Sequence, residues 1–254
     1  KEYRRQRQMC IRDSREFGSG DRISYQGVMD LFRNPKLSAA VYASQKLPRS
    51  PSDIVLEVSS TMAPGDHPGG FAGACWAFTN ADSLRFYRDN DFVAEFAPDR
   101  RGRFAALPHP PIEIHDFVGL LLEKYEGLDR AAAPQVAAIL NEMRRDALNL
   151  SPLSRARMLS LRLSANDLLR MYYKYIGVLG GPSSVYRFEA VWHGRTVRTV
   201  VKEPVQSVRL ECVVHNPILT DGPTWDCAAV SLRAIDQNGN LLPYCGEAVQ
   251  LSVE

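Results

Sequence analysis

GDRISYQGVMDLFRNPKLSAAVYASQ, Gly20 to Gln45, is the stretch from which the fold of this 254-residue chain is read. Gly18 and Gly20 give a flexible approach, and Pro35 suits the first turn of a helix, where its missing N–H costs nothing. From there Leu37, Ala40, Val41 and Ser44 recur at helical spacing, so one face can be buried against neighbours. Taken alone, this is a loop leading into an amphipathic helix.

The order Gly27-Val28-Met29-Asp30, then Arg33-Asn34-Pro35-Lys36 and an apolar helix, resembles the end of the catalytic domain in glycoside hydrolase family 2, the β-galactosidases and β-glucuronidases. The resemblance implies that residues 15–46 are the C-terminal end of a TIM barrel. Active sites of such barrels sit at the C-terminal ends of the strands, which makes Asp21 to Gln26 the stretch able to touch sugar. Glucuronidases of the family carry Asn-x-Lys before the glycine matching Gly27, to bind the sugar carboxylate. Here Ser24-Tyr25-Gln26 stand in that place and offer no cation, which favours a neutral sugar such as galactose. Tyr25 is the candidate for stacking on the sugar, and Ser24 and Gln26 for bonding its hydroxyls; the alternative is that all three only brace the barrel end.

Family 2 enzymes are retaining, which requires two carboxylates about 5 Å apart, one as acid/base and one as nucleophile. The resemblance places both glutamates on barrel strands before Gly20, and neither motif occurs in this sequence. Asn141-Glu142 matches the acid/base dipeptide but falls within a helical stretch, so no catalytic residue is assigned. A barrel takes about 250 residues and roughly 35 of them are here, so no hydrolysis is expected from this polypeptide by itself.

Arg4 to Ser14, RRQRQMCIRDS, back-translates without a break into a transposon adapter used in sequencing libraries, so residues 1–14 are read as adapter-derived rather than native. The other reading is a solvated basic arm. Residues 1–14 hold five basic and two acidic side chains; without them the formal charge falls from +2 to −1. That balance carries no nucleic-acid signal, and no basic stripe interleaved with aromatics occurs elsewhere. With 45% hydrophobic and 24% charged residues, the chain reads as globular, with room for roughly one to three domains. No apolar run approaches the roughly 20 residues of a membrane helix, and no signal peptide is seen. Cys75, Cys212, Cys227 and Cys245 show no metal-ligand spacing and are expected to be reduced core residues of a bacterial cytoplasmic protein, a Cys212–Cys227 disulfide being the lesser alternative.

After Gln45, Lys46 to Ser52 contains two prolines and reads as a linker. Ile54–Val58, Ala74–Asn80, Leu84–Arg88 and Phe92–Phe96 read as strands of a meander with polar turns. TNADSLRFYRDNDFVAEF, Thr79 to Phe96, resembles an element of the small sandwich that follows the barrel in family 2. Between roughly Ile112 and Tyr175 the period becomes helical: Phe117, Leu120, Leu121 and Tyr125 share one face, and Val136, Ile139, Leu140 and Met143 another. Leu159 and Leu163 suggest a third helix opened by Ser151-Pro152, and Ser164 with Asp167 forms a capping box before Leu168 to Tyr175. The motif LPHPPIEI, Leu107 to Ile114, resembles one branch of bacterial β-galactosidases in which a helical insert follows.

Val185–Trp192 and Thr196–Val201 around His193-Gly194 predict a hairpin. Leu210–Val214, Trp225–Ile235, a turn at Asp236–Asn240 and Leu241–Val253 then resemble an immunoglobulin-like module, with only about half of its roughly 100 residues present. The expected fold is therefore mixed α and β: the end of a TIM barrel (15–46), a β-sandwich (52–202) with a helical insertion at about 112–176, and a truncated immunoglobulin-like domain (205–254).

The five histidines lack metal spacing, and His109 and His193 are expected to be solvated in turns. Gly69-Gly70 and Gly180-Gly181 lack the context of a phosphate loop, so no cofactor is expected. Trp76, Trp192 and Trp225 read as core strand residues, with a sugar platform as the alternative. Two functions follow. One is the non-catalytic C-terminal part of a family 2 β-galactosidase, with a β-galactoside reaching the rest of the barrel, no nucleic acid or membrane partner, and a homo-oligomer allowed. The other is a stand-alone carbohydrate-binding or structural sandwich. An exposed aromatic row on one sheet favours the second; an exposed apolar patch over Val28 to Tyr42 favours the first.

Overall fold

The computed structural model describes residues 27–29, 35–59, 74–146, 148–177, 183–242, 245, 247–250 and 252. The chain is mixed α and β with antiparallel sheets, and it divides into two compact units between Glu203 and Pro204.

The first unit opens with helix α1 (Leu37–Ala43). Strands β1 (Leu56–Val58), β2 (Cys75–Thr79) and β5 (Ile112–Ile114) form one antiparallel sheet in the order β1-β2-β5. Strands β3 (Ser83–Arg88), β4 (Asp91–Phe96), β6 (Tyr186–Trp192) and β7 (Arg195–Lys202) form another, ordered β4-β3-β6-β7. Side chains alternate across a strand, and β3 shows it: Leu84 and Phe86 are fully buried, while Ser83, Arg85 and Tyr87 point outward. Phe86 stacks on its cross-strand partner Phe188 at 5.1 Å and meets the edge of Phe117 at 5.3 Å. The inward sides of both sheets share one apolar core.

Between β5 and β6 lie α2 (Leu121–Glu126), α3 (Ala133–Arg145), α4 (Pro152–Ser160) and α5 (Ala165–Tyr175). Val136, Ile139, Leu140 and Met143 of α3 and Leu168, Met171, Tyr172 and Tyr175 of α5 enter the same core. The expected caps are present. Ser151 accepts from Ser154 N at 3.3 Å with Pro152 in the first turn, and Ser164 and Asp167 bond each other's backbone N–H at 3.1 and 3.2 Å.

Several expectations are corrected. Ile112–Ile114 is a strand paired with β2 rather than the start of the helical region. The first helix of the insertion, α2, begins only at Leu121, because Asp116 Oδ1 accepts from Val118 N and Gly119 N at 3.0 and 2.9 Å and Gly119 turns left-handed at φ +42°. That offset buries Phe117, Leu121 and Leu122 and leaves Leu120 and Tyr125 exposed. Leu159 is also exposed, and Ser154 is the only buried residue of α4. Pro35 is extended and bridges Met29, so the opening helix starts two residues later than expected.

The second unit contains a hairpin, β8 (Val208–His215) with β9 (Ala229–Asp236). Val208, Leu210, Cys212 and Val214 share a face with Val230, Leu232 and Ala234 by register. The opposite face carries the Glu211–Arg233 ion pair at 2.6 Å and a His215–Ser231 hydrogen bond at 2.9 Å. The turn after β9 closes on the Asp236 carboxylate, which accepts from Asn238 N and Asn240 N at 2.9 and 2.7 Å. Cys75 is buried, but Cys212, Cys227 and Cys245 are exposed free thiols, which overturns both the core and the disulfide readings. Trp225 precedes β9 in a loop and is 87% exposed rather than core. Among the described residues beyond Asp236, the pairing expected for Leu241–Val253 is limited to one bridge, Leu241 to Ile235.

Candidate functional site

Ser24, Tyr25 and Gln26 lie outside the described residues, as do Asp30, Arg33 and Asn34. The described chain next to them folds back on α1: Gly27 O accepts from Ser38 Oγ at 2.6 Å, Val28 O accepts from Lys36 N at 3.0 Å, and Met29 bridges Pro35.

No residue of α1 is buried, and Met29, Leu37, Tyr42 (68% exposed) and Leu47 (73% exposed) are open to solvent. Beyond the helix the chain is held firmly. Ser44 is buried, and the Gln45 carboxamide pairs with the main chain of His109, donating to His109 O at 2.9 Å and accepting from His109 N at 3.0 Å. Asn80, 2% exposed at the end of β2, accepts from Val55 N at 2.8 Å and donates to Lys46 O and Asp53 O at 2.9 and 3.1 Å. Asp53 Oδ2 accepts from Arg49 N and Ser50 N at 3.0 and 3.1 Å, and Arg198 donates to Ile54 O at 3.0 Å. The stretch expected to be a linker is thus a strap sewn to the sheet, and Pro51–Asp53 is a turn of 3-10 helix. Pro51 opens that turn and so shapes a fixed path. Neither Gln45 nor Asn80 was a candidate in the sequence; the one legible hint was a carboxamide directly after a buried strand.

His109 is not freely solvated. Burial, helped by the nearby Arg100 and opposed by Asp82, holds its pKa below the usual value. His193 is exposed in its turn as expected, its N–H bonded to Asp82 at 2.7 Å.

Asn141 and Glu142 are structural. Asn141 Oδ1 accepts from Phe117 N at 3.0 Å, and its Nδ2 donates to Asp116 Oδ1 and Ala137 O, both at 2.8 Å. Glu142 accepts from Ser151 N at 2.5 Å and from Ser154 Oγ, tying α3 to the start of α4. Glu126 receives Arg170 Nη2 at 2.8 Å and both Lys174 Nζ and Tyr175 Oη at 2.7 Å. Burial disfavours its charge, but these donors outweigh burial and hold the carboxyl at about 2. Burial, with the hydrogen bond to Glu126, pushes Tyr175 up to about 12. A glycosidase general acid needs a raised carboxyl pKa. Among the described residues each resolved carboxyl shift is downward, at Asp53, Asp91, Glu95, Glu126, Glu142 and Asp167. Among the described residues no group of three or more His, Cys, Asp or Glu is placed to hold a metal ion, and no helix is long and apolar enough to cross a membrane.

The outer face of the β4-β3-β6-β7 sheet is charged. Glu95 accepts from Ser83 Oγ and Arg85 Nε at 2.5 and 3.0 Å, Arg187 pairs with Glu189, and the Arg187 guanidinium lies 3.7 Å from the centre of the Tyr87 ring. Trp76 meets Phe104 edge-on at 5.7 Å and Trp192 lies against His193, both half-buried.

No protein-family model matches the chain. A β-galactosidase of Thermoanaerobacter pseudethanolicus is 26% identical over 238 residues, covering 94% of this chain and 24% of that protein. A β-galactosidase of Thermoanaerobacterium thermosulfurigenes is 26% identical over 243 residues, covering 94% and 26%. The chain therefore spans about a quarter of the length of the curated relatives it matches. Solved structures similar to it include a β-glucuronidase from glycoside hydrolase family 2 (TM-score 0.38, 11% identity, 85% of this chain and 15% of that one). A Parabacteroides merdae β-glucuronidase also matches (TM-score 0.32, 11% identity, 87% and 19%). The resemblance to glycoside hydrolase family 2 drawn from the sequence is borne out by the β-galactosidase matches along nearly the whole chain.

Proposed function

We propose that this relative of the family 2 β-galactosidases is the non-catalytic C-terminal part of a retaining glycoside hydrolase acting on β-galactosides. The observation that carries the reading is the match of 94% of the chain to a quarter of two β-galactosidases. Residues 15–46 close the catalytic barrel, 52–202 form an immunoglobulin-like sandwich with a helical insertion, and 205–254 begin a second such module. The strand orders β1-β2-β5 and β4-β3-β6-β7 around one core support the sandwich assignment. The exposed Met29, Leu37, Tyr42 and Leu47 support a barrel seated against α1. A charged outer sheet face, where a sugar-binding module would carry an aromatic row, weighs against the stand-alone reading. Ser24, Tyr25 and Gln26 contact the sugar from the barrel's rim. The test is to express this chain and the longer reading frame that contains it, and to assay both on a nitrophenyl β-galactoside. Turnover by the longer polypeptide alone is expected; turnover by this chain above a mock preparation, or none by either, overturns the reading.

A further inference from the structure

We infer that the outer face of α4 is a self-association surface: it docks on the acidic loop between β8 and β9 of a second copy of this chain, and the contact, made twice, closes a dimer.

One side of α4 is fixed and the other is open. Ser154 is buried, Met158 and Leu161 pack against the core, and Glu142 holds the start of the helix. On the opposite side Leu153, Ala156 and Leu159 follow one another at three-residue intervals, so each is the surface neighbour of the next. Leu153 is 60% and Leu159 78% exposed. Arg155 and Arg162 border this stripe on one flank and Arg157 on the other, and none of the three forms an ion pair among the described residues. From Ala147 to Asn166 the chain holds three arginines and no acidic residue, so the positive charge of this face is uncompensated.

The backbone on either side of α4 gives a second indication. Leu148, just past α3, and Arg162, just past α4, are left-handed at φ +70° and +54°, where glycine is the usual occupant. Each closes the preceding helix through its main chain, Leu148 N to Met143 O at 2.8 Å and Arg162 N to Leu159 O at 3.1 Å. Both residues are exposed, so neither side chain gains packing that offsets the strain. Strain kept at exposed residues with one apolar and one cationic side chain marks a contact surface.

The complement lies in the same sequence. Residues 204–254 hold two basic and six acidic side chains. Loop 216–228 carries Asp221 and Asp226 and no Lys or Arg, and its Ile218 (82% exposed), Leu219 and Trp225 are open to solvent. Neither aspartate forms an ion pair among the described residues; Asp226 accepts from Thr220 N and Cys227 N at 3.2 and 2.9 Å. Apolar side chains beside cations on α4 thus match apolar side chains beside anions on the loop, which selects the partner as well as attracting it. Two different patches form a closed pair when each copy offers both, α4 of one meeting the loop of the other about a twofold axis.

The test is sedimentation of this chain, a readout independent of hydrolysis, so its failure leaves the proposed function standing. A dimer is expected at about 50 μM, where a contact of micromolar affinity is populated. Raising the salt from about 0.05 to 0.5 M is expected to weaken it, and Leu159→Asp to give a monomer. Arg155→Glu with Arg162→Glu in one variant, and Asp221→Arg with Asp226→Arg in another, set like charges against each other at both contacts, so each variant is expected to be monomeric. Mixed, the two variants set opposite charges at both contacts and are expected to associate about tenfold or more tightly than either by itself. A monomeric parent, an open-ended assembly, a dimer that survives Leu159→Asp, or a mixture no more associated than its components overturns the inference. Circular dichroism separates lost association from lost fold, and Leu159→Asp reads the helix side even if the loop variant does not fold.

Discussion

Replacing Gly119 by Ala separates two costs that a left-handed glycine conceals. Gly119 sits at φ +42°, and a Cβ there would lie 2.1 Å from Val93 O and 2.9 Å from Val93 C. Gly127, at the C-cap of α2, has φ +65° with nothing within 4 Å of a Cβ. The left-handed backbone costs about 1 to 2 kcal/mol for a residue with a Cβ, and that cost applies at both sites. At Gly119 the overlap is with main chain, which cannot rotate away. Relief requires moving the turn from β4, which adds about 1 to 3 kcal/mol of overpacking strain. The Leu120 N bond to Val93 O, 3.3 Å, goes with it for about 1 kcal/mol more. Gly119→Ala is therefore expected to lose about 3 to 6 kcal/mol and Gly127→Ala about 1 to 2. At roughly 2 to 4 °C per kcal/mol for a domain of this size, Tm falls by about 6 to 24 °C in the first and about 2 to 8 °C in the second. Urea unfolding followed by circular dichroism, at matched slopes, measures the difference. Equal losses within about 0.5 kcal/mol would show that torsion alone matters and refute the steric argument.

Glu126 has a folded pKa of about 2 against an ordinary 4.5, so its network contributes fully above pH 4.5 and is lost as pH falls towards about 2. Acid titration of stability is expected to be shallower over that window in Glu126→Gln than in the parent, and identical curves would remove Glu126 from the account. Among the described cysteines, Cys212, Cys227 and Cys245 are expected to react with a thiol reagent in the native protein and Cys75 only after unfolding; native labelling of Cys75, located by peptide mass, would contradict its burial.

Local chemistry was legible in the sequence because it needs only neighbours along the chain. Alternation places Leu84 and Phe86 inside and Arg85 outside, and Ser151-Pro152 and Ser164 with Asp167 open helices because caps act within four residues. The family resemblance was legible too, since an ordered string of residue types survives without coordinates. What only the tertiary structure decided is which apolar residue finds a cover and which polar residue finds a distant partner. Leu120 and Tyr125 fit a helical face, yet the Asp116 turn and Gly119 shift the register and expose them. Cys212 lies on an apolar strand face and is open to solvent. Lys46 to Ser52 has a linker's composition, yet the Asn80 side chain and the His109 main chain hold the stretch from Gln45 to Val55 through bonds that span 25 to 64 residues of sequence. Hydrophobicity and hydrogen-bonding capacity are properties of a residue, but burial and bond formation depend on what the rest of the chain brings beside it.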